Sequence, residues 1–365
     1  MKRSAPAAPD AASGALDRLG DFDEIIDVRS PAEFALDHIP GATSAPVLSN
    51  VERARIGTLH AADSAFAAKR AGAALVAANL ARHLETLFSD RPRSWRPLVY
   101  CWRGGQRSGA MTEVFRRIGW RAEQLEGGYR AYRRRVVADL DQLPSGMIFH
   151  IVCGVTGSGK SRLLRALRRT GAQVLDLEEL ACHRGSVLGE LPGQAQPSQK
   201  MFDSLVRSQL LAFDATRPVF VEAESKKIGV LQVPDALMTA MRASPCLRVD
   251  LGIEQRVALL KEEYAHFLGD SEALGAQLDC LTLLHGHARV AQWKALGQAH
   301  AWDDLVATLL AEHYDPAYLR GMARNYAGFG TAPVLPVAAA DNAAFDAAAR
   351  ECLTLLGGDR ATNLR

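Results

Sequence analysis

The sequence predicts an α/β protein of two domains, the second carrying a helical extension. Three observations predict it. Short apolar runs alternate with segments of helical apolar spacing along most of the 365 residues, the pattern of strands delivered between helices. Two of those runs end in glycine-rich loops, at 101–108 and 154–161, and a helix-like segment follows each. Between the two loops, residues 141–146 contain Pro144 and Gly146 and read as a domain boundary. A chain of this length supports two cores of ordinary size.

Residues 1–15, rich in Ala, Pro and Ser and without a long apolar stretch, are expected to be a disordered tail rather than a secretion signal. The first domain is expected over 16–142. Within it, 24–28 reads as a strand, 72–88 as a helix, and 97–100 as a buried strand that delivers Cys101. Residues 107–118 read as a helix, Gly127-Gly128 as a turn, and 129–140 as a basic helix. The second domain is expected over 147–365. Strands are predicted at 147–153, 174–177, 219–222 and 246–251, with a late one at 334–337, and helices at 160–169 and 198–214. The extension, about 253–320, is helical in pattern throughout.

Composition excludes several classes. The hydrophobic fraction is 48% and the charged fraction 23%, ordinary for a globular protein. No apolar run approaches the roughly 20 residues a membrane helix needs, so a cytoplasmic protein without a membrane partner is expected. The six cysteines, at 101, 153, 182, 246, 280 and 352, form no CxxC pair, which argues against a zinc site or a disulfide framework. His285 and His287 have no third ligand in view and read as polar loop residues. Net charge is +2, but residues 101–170 hold 14 Lys and Arg against 5 Asp and Glu. Such a basic zone suits a polyanion. Arg116, Arg117, Arg130, Arg133, Arg134 and Arg135 are its candidate nucleic-acid contacts.

The first loop reads Cys101-Trp102-Arg103-Gly104-Gly105-Gln106-Arg107-Ser108. A cysteine is nucleophilic as thiolate, and cations and a helix N-terminus favour that form. Gly104 and Gly105 are expected to let backbone N–H groups converge on an anion, with Arg103 and Arg107 adding charge and Ser108 opening the helix. Cys101, Arg103 and Arg107 are the candidate catalytic residues. Trp102, Gly104, Gly105, Gln106 and Ser108 form the anion loop.

The second loop, Gly154-Val155-Thr156-Gly157-Ser158-Gly159-Lys160-Ser161, is a complete phosphate loop between a strand and a helix. Its glycines permit backbone approach to phosphates, Lys160 supplies a point charge, and the Ser161 hydroxyl is a candidate Mg²⁺ ligand. The motif recognises a diphosphate; whether the ligand is a nucleotide stays open. Asp176, Glu178, Glu222 and Glu224 lie at strand ends and are candidates for acid/base work or metal support.

Residues 27–34 (Asp-Val-Arg-Ser-Pro-Ala-Glu-Phe), 38–42 (His-Ile-Pro-Gly-Ala) and Gly127-Gly128-Tyr129, together with the cysteine loop, resemble the rhodanese family over about 15–140. The loop is Cys-x5-Arg, one residue longer than the commonest sulfurtransferase form and similar to that of rhodanese-like phosphatases, which hold a tetrahedral phosphate. A rhodanese-like unit followed by a P-loop NTPase-like unit is similar to the bacterial tRNA 2-selenouridine synthase family. His183-Arg184-Gly185-Ser186 and residues 221–229 resemble further blocks of that family. The resemblance implies a transferase acting on the wobble uridine in the anticodon stem-loop of tRNA. Geranyl diphosphate would first alkylate the sulfur of 2-thiouridine, and selenium from selenophosphate would then replace that sulfur. It places geranyl diphosphate at the phosphate loop and selenophosphate at Cys101. Two other readings of the residues stay open: a sulfurtransferase or phosphatase fused to an ATP-dependent kinase, and an RNA-binding module with a non-catalytic phosphate loop.

Overall fold

A computed structural model describes residues 13–362, apart from 63–64, 187–188, 192 and 269–270. The expected tail lies outside the described residues up to position 12, and Ser13–Leu16 is a helical turn. The chain divides into two units, 1–139 with 198–208, and 140–197 with 209–365.

The first unit holds a parallel sheet of β1 (Glu24–Asp27), β2 (Thr43–Ser44), β3 (Pro97–Tyr100) and β4 (Glu123–Gln124), in the order β2-β1-β3-β4. β3 is central, and all four of its residues are buried, as a run of Pro-Leu-Val-Tyr demands. The helix Gln106–Ile118 packs on β3 and β4, placing Met111 and Phe115 in a core with Ile26, Val28, Val99 and Trp95. Phe88, Trp95, Phe115 and Trp120 meet with ring centroids 4.9–5.3 Å apart, an aromatic cluster that anchors this face. The helix expected at 72–88 begins earlier, at Ala65–Thr86, and a helix at Asn50–Ala62 packs against it. The alanine-rich composition hides the apolar stripe that would have signalled both.

Asp27 and Arg29 are buried together, with Arg29 Nη2 2.6 Å from Asp27 Oδ2. The same nitrogen donates to the Asp37 carbonyl at 2.6 Å, and the guanidinium lies 4.0 Å from the Tyr129 ring centroid. The Asp-x-Arg signature therefore ties the end of β1 to the segment around Asp37 and to the helix Gly128–Gln142. Asp37 also accepts from Tyr129 Oη at 2.6 Å and from Ser204 Oγ at 2.8 Å. Ser204 belongs to the helix Gln199–Ala212, expected at 198–214 within the second domain. Its residues 199–208 group with the first unit, where Asp203 pairs with Arg133 and Arg207 with buried Asp139 at 2.7 Å.

The second unit holds a parallel five-stranded sheet. Its strands are β5 (Ile148–Cys153), β6 (Gln173–Leu175), β7 (Pro218–Glu222), β10 (Cys246–Leu251) and β11 (Val334–Val337), after a short β8–β9 hairpin of Lys227–Ile228 and Leu231–Gln232. The order is β11-β10-β5-β7-β6. The central position of β5 brings the phosphate loop to the carboxyl edge, where open α/β sheets bind ligands. β11 contains Pro336 and stands at an edge, where a missing N–H is tolerated. The helix Lys160–Arg169 buries Leu163, Leu164 and Leu167 against a C-terminal helix, Asn342–Thr362, through Phe345, Ala348 and Cys352. The described residues of 253–325 are mostly helical, with Ile253–Glu263, Trp302–Leu309 and a π-helical turn at Leu310–Tyr314 among the elements. Among the described residues no helix is long and apolar enough to cross a membrane.

Candidate functional site

Cys101 follows β3 directly and is 3% exposed. Its Sγ accepts from the Gly105 N–H at 3.3 Å and from Ser108 Oγ at 3.1 Å. Burial would push this thiol up. The Ser108 hydroxyl and the N–H groups of Ser108, Gly105 and Arg103 outweigh burial and hold it below the ordinary thiol range. The stabilisation is therefore chiefly hydrogen bonding, where the sequence reading emphasised the arginines. Arg103 is exposed. Arg107 is tethered at 3.4 Å to Glu33, which also pairs with Arg53 at 2.9 Å. Burial alone would raise Glu33, but the Ser30 N–H, Arg107 and Arg53 bring its carboxyl below the usual range.

The glycine requirement lies at Gly104 rather than at Gly105. Gly104 has φ +66°, and a Cβ there would meet the Leu125 carbonyl at 2.5 Å, whereas Gly105 has open space. Gly128 is as constrained: at φ +55° its added Cβ would fall 2.2 Å from the Cys101 carbonyl and 2.4 Å from Gly104 N. This close approach lets the Tyr129 and Arg130 N–H groups donate to the carbonyls of Cys101 and Trp102 at 2.8 and 3.1 Å. The Trp102 ring stacks on Tyr129 at 5.2 Å. Gln124 on β4 donates to the carbonyls of Gly104 and Gly105 and to Ser108 Oγ, at 2.7, 3.0 and 2.9 Å. Gln106 is the exposed first residue of its helix.

In the second unit, β5 opens into the phosphate loop. Gly157 and Gly159 take left-handed φ values of +75° and +81°, and at Gly154 a Cβ would strike Ser158 Oγ at 2.3 Å. Lys160 Nζ donates to the Gly154 carbonyl at 2.9 Å and lies 5.3 Å from the Tyr318 ring centroid. The Thr156 carbonyl accepts from Arg256 Nε and Nη2 at 2.9 and 2.7 Å, and Arg256 pairs with Asp315 at 2.6 Å. Gly154 N–H donates to Tyr318 Oη at 2.8 Å. Sequence reasoning missed Arg256 and Tyr318, since neither adjoins the motif. A cleft of about 840 Å³ opens over the loop.

Three of the four strand-end carboxylates converge. Ligand oxygens of Glu178, Glu222 and Glu224 lie within 4.8 Å of one another, and Ser161 Oγ donates to Glu178 Oε2 at 3.1 Å. Glu222 is fully buried; its Oε1 accepts the Glu178 N–H at 3.2 Å, and its Oε2 has no partner among the described residues. Burial and the neighbouring glutamates push Glu222 well up and Glu224 to about 8. Asp176 departs from the group: it caps the helix Leu177–Ala181 by accepting the Glu179 N–H at 2.9 Å. Gly185 (φ +68°) lets the segment after His183 lie against Glu178 and Glu224, where a Cβ would come within 2.6 Å of a carboxylate oxygen.

The basic candidates separate into two sets. Arg133 bonds to Asp203 and the Lys200 carbonyl, and Arg135 pairs with Asp17 and Asp139, so both serve the packing of the first unit. Arg116 donates to the Ala122 carbonyl, and Arg117 pairs with Glu113 on an exposed face. Arg130 and Arg134 are exposed on the helix Gly128–Gln142. His285 and His313 hydrogen-bond to each other at 3.0 Å.

A parallel sheet presenting one hydrogen-bonded cysteine in an anion loop, followed by a sheet with an intact phosphate loop, defines a rhodanese domain joined to a P-loop domain of AAA type. The rhodanese-like domain model matches residues 11–135, and the model for the tRNA 2-selenouridine synthase AAA domain matches 147–277. The tRNA 2-selenouridine synthase of Alcanivorax borkumensis is 31% identical over 326 residues, 80% of this chain and 88% of that protein. The protein of the same name from Marinobacter nauticus is 30% identical over 80% of this chain and 87% of its own, and that from Nitrosomonas europaea 33% over 66% and 63%. The chain belongs to the tRNA 2-selenouridine synthase family.

Proposed function

We propose that this tRNA-modifying chain converts 2-thiouridine at the wobble position to 2-selenouridine through an S-geranyl intermediate, with geranyl diphosphate and selenophosphate as co-substrates. The observation that carries the reading is the pairing, on one chain, of a thiol held as an anion site with an intact phosphate loop. In the first step the thiouridine sulfur attacks the geranyl carbon bonded to oxygen. The C–O electron pair leaves with pyrophosphate, and the base gives up its N3 proton. Charge developing on the leaving group calls for fixed donors and cations, which the loop amides and Lys160 supply. In the second step selenium from selenophosphate adds at C2 of the base, the geranyl thiolate departs with the C–S electron pair, and water takes up the phosphoryl group as phosphate. Cys101 and its loop amides, with Arg103 and Arg107, bind selenophosphate in this scheme. Arg116, Arg117, Arg130 and Arg134 contact the tRNA backbone, and the target base comes from the unpaired anticodon loop.

The oxygen donors Ser161, Glu178, Glu222 and Glu224 fit a hard divalent cation such as Mg²⁺, and the unpartnered Glu222 Oε2 supports that fit. The cation would supply further neutralisation of the leaving pyrophosphate.

The test is incubation of the full chain with thiolated tRNA, geranyl diphosphate and selenophosphate, omitting each in turn, read by nucleoside mass spectrometry. Cys101→Ser is expected to accumulate the geranylated nucleoside without selenium, and Lys160→Ala to form neither product. ATP turnover without any modified nucleoside would overturn the reading in favour of a kinase fusion.

A further inference from the structure

We infer that an apolar cavity in the helical extension, opening onto the phosphate loop, holds the hydrocarbon tail of the diphosphate substrate and sets the length of tail accepted. This rests on the reading that the phosphate loop takes a prenyl diphosphate. The cavity measures about 70 Å³ where the cleft over the phosphate loop measures about 840 Å³, and it is partly open to solvent. Its walls are Leu260, Leu268, Trp302, Leu305, Val306 and Leu309, from Ile253–Glu263, Trp302–Leu309 and the short helix Ala265–Leu268.

Continuity with the phosphate site identifies the occupant. Thr156, Ser186, Leu260, Tyr264 and Tyr314 line both the cavity and the cleft over the phosphate loop. Leu260 presses directly on the loop, since a Cβ on Gly157 would meet its Cδ1 at 2.9 Å. Arg256, one turn earlier on the same helix, holds the Thr156 carbonyl, so the wall and the cradle are fixed to each other. A molecule filling both sites carries a diphosphate at one end and an apolar chain directly attached. A nucleoside fits poorly, because its ring nitrogens, amine and ribose hydroxyls would face leucine, valine and tryptophan side chains and lose their hydrogen bonds. At the junction Ser186 Oγ and Tyr264 Oη are engaged with each other at 3.1 Å, and the Arg184 guanidinium lies 4.9 Å from the Tyr264 ring, with its Nη1 unpartnered among the described residues.

The experiment measures binding of geranyl diphosphate and of inorganic pyrophosphate to the full chain and to two variants. The native chain is expected to bind geranyl diphosphate at least about tenfold more tightly than pyrophosphate, the return expected from burying several methylene-sized groups. Val306→Trp, which fills the cavity, is expected to remove most of that advantage while leaving pyrophosphate binding within about twofold. Trp302→Ala enlarges the cavity and is expected to raise the preference for farnesyl over geranyl diphosphate about tenfold. If Val306→Trp fails to fold, shown by lost pyrophosphate binding, Trp302→Ala decides. Geranyl diphosphate bound no better than pyrophosphate by the native chain, or an unchanged chain-length preference in Trp302→Ala, would overturn the assignment. Tail-dependent binding that responds to both variants, with no geranylated tRNA formed, would leave the cavity assigned and refute the proposed reaction instead.

Discussion

Replacing Ser108 by Ala removes the hydroxyl's hydrogen bond to the sulfur of Cys101 and its longer contact, 3.3 Å, to the Gly105 carbonyl. The hydroxyl is buried and donates to Sγ at 3.1 Å. Gln124 loses one acceptor but keeps the carbonyls of Gly104 and Gly105. Hydrogen bonds to charged groups contribute about 1.5–3 kcal/mol. Taking the lower end, for a diffuse sulfur anion, about 1.5 kcal/mol lowers the thiolate fraction about tenfold at a pH below its titration. The sign follows from the native environment: the thiol sits below its ordinary range, so the native sulfur becomes reactive at lower pH than a free cysteine, and Ser108→Ala moves that onset upward. Alkylation of Cys101 by iodoacetamide, followed across pH by peptide-resolved mass spectrometry, reads the change. We expect a rate about tenfold lower near neutrality, converging on the native rate at high pH. A uniform loss at every pH would mean altered access, and an unchanged profile would show that Ser108 does not stabilise the thiolate.

Three further outcomes are expected. Gly128→Ala combines a left-handed φ with a contact of 2.2 Å to backbone and should destabilise the fold by more than about 2 kcal/mol in denaturant titration. Arg207→Ala removes one of the two arginines on buried Asp139, leaving Arg135 at 2.7 Å, and should cost about 1.5 kcal/mol by the same measure. tRNA affinity should fall linearly on logarithmic axes as salt rises. The double substitution Arg130→Ala with Arg134→Ala should reduce that slope by about 2, and an unchanged slope would remove this helix from the docking face.

The two loops are legible in the sequence because each is contiguous. Glycines, cations and the nucleophile or lysine stand side by side, and the flanking apolar runs place them between strand and helix. The predicted strands at 97–100, 219–222, 246–251 and 334–337 appear for a similar local reason: short β-rich runs bounded by turn residues. Relations across long sequence distances carry no such mark. Nothing local distinguishes Asp176, which caps its own helix, from Glu178, Glu222 and Glu224, which meet only when β7 and the segment after β6 come together. Gln124 reads as an ordinary polar strand residue until the sheet sets β4 beside the cysteine loop. Arg256 is a hundred residues from the carbonyl it holds. The Asp-Val-Arg motif is visible as a signature, yet its purpose as a buried brace depends on Asp37 and Tyr129.

The segment 198–208 has a consequence for anyone dividing the chain. A cut within the turn at 143–146 looks natural from composition, but the N-terminal fragment would lose Asp203, Ser204 and Arg207. Arg133 would then lose Asp203, while Asp37 would keep Tyr129 but lose Ser204, and Asp139 would keep Arg135 but lose Arg207. The front portion is thus not a detachable cassette: its covalent boundary and its structural boundary differ, and swapping it into another protein would require supplying that stretch of helix as well.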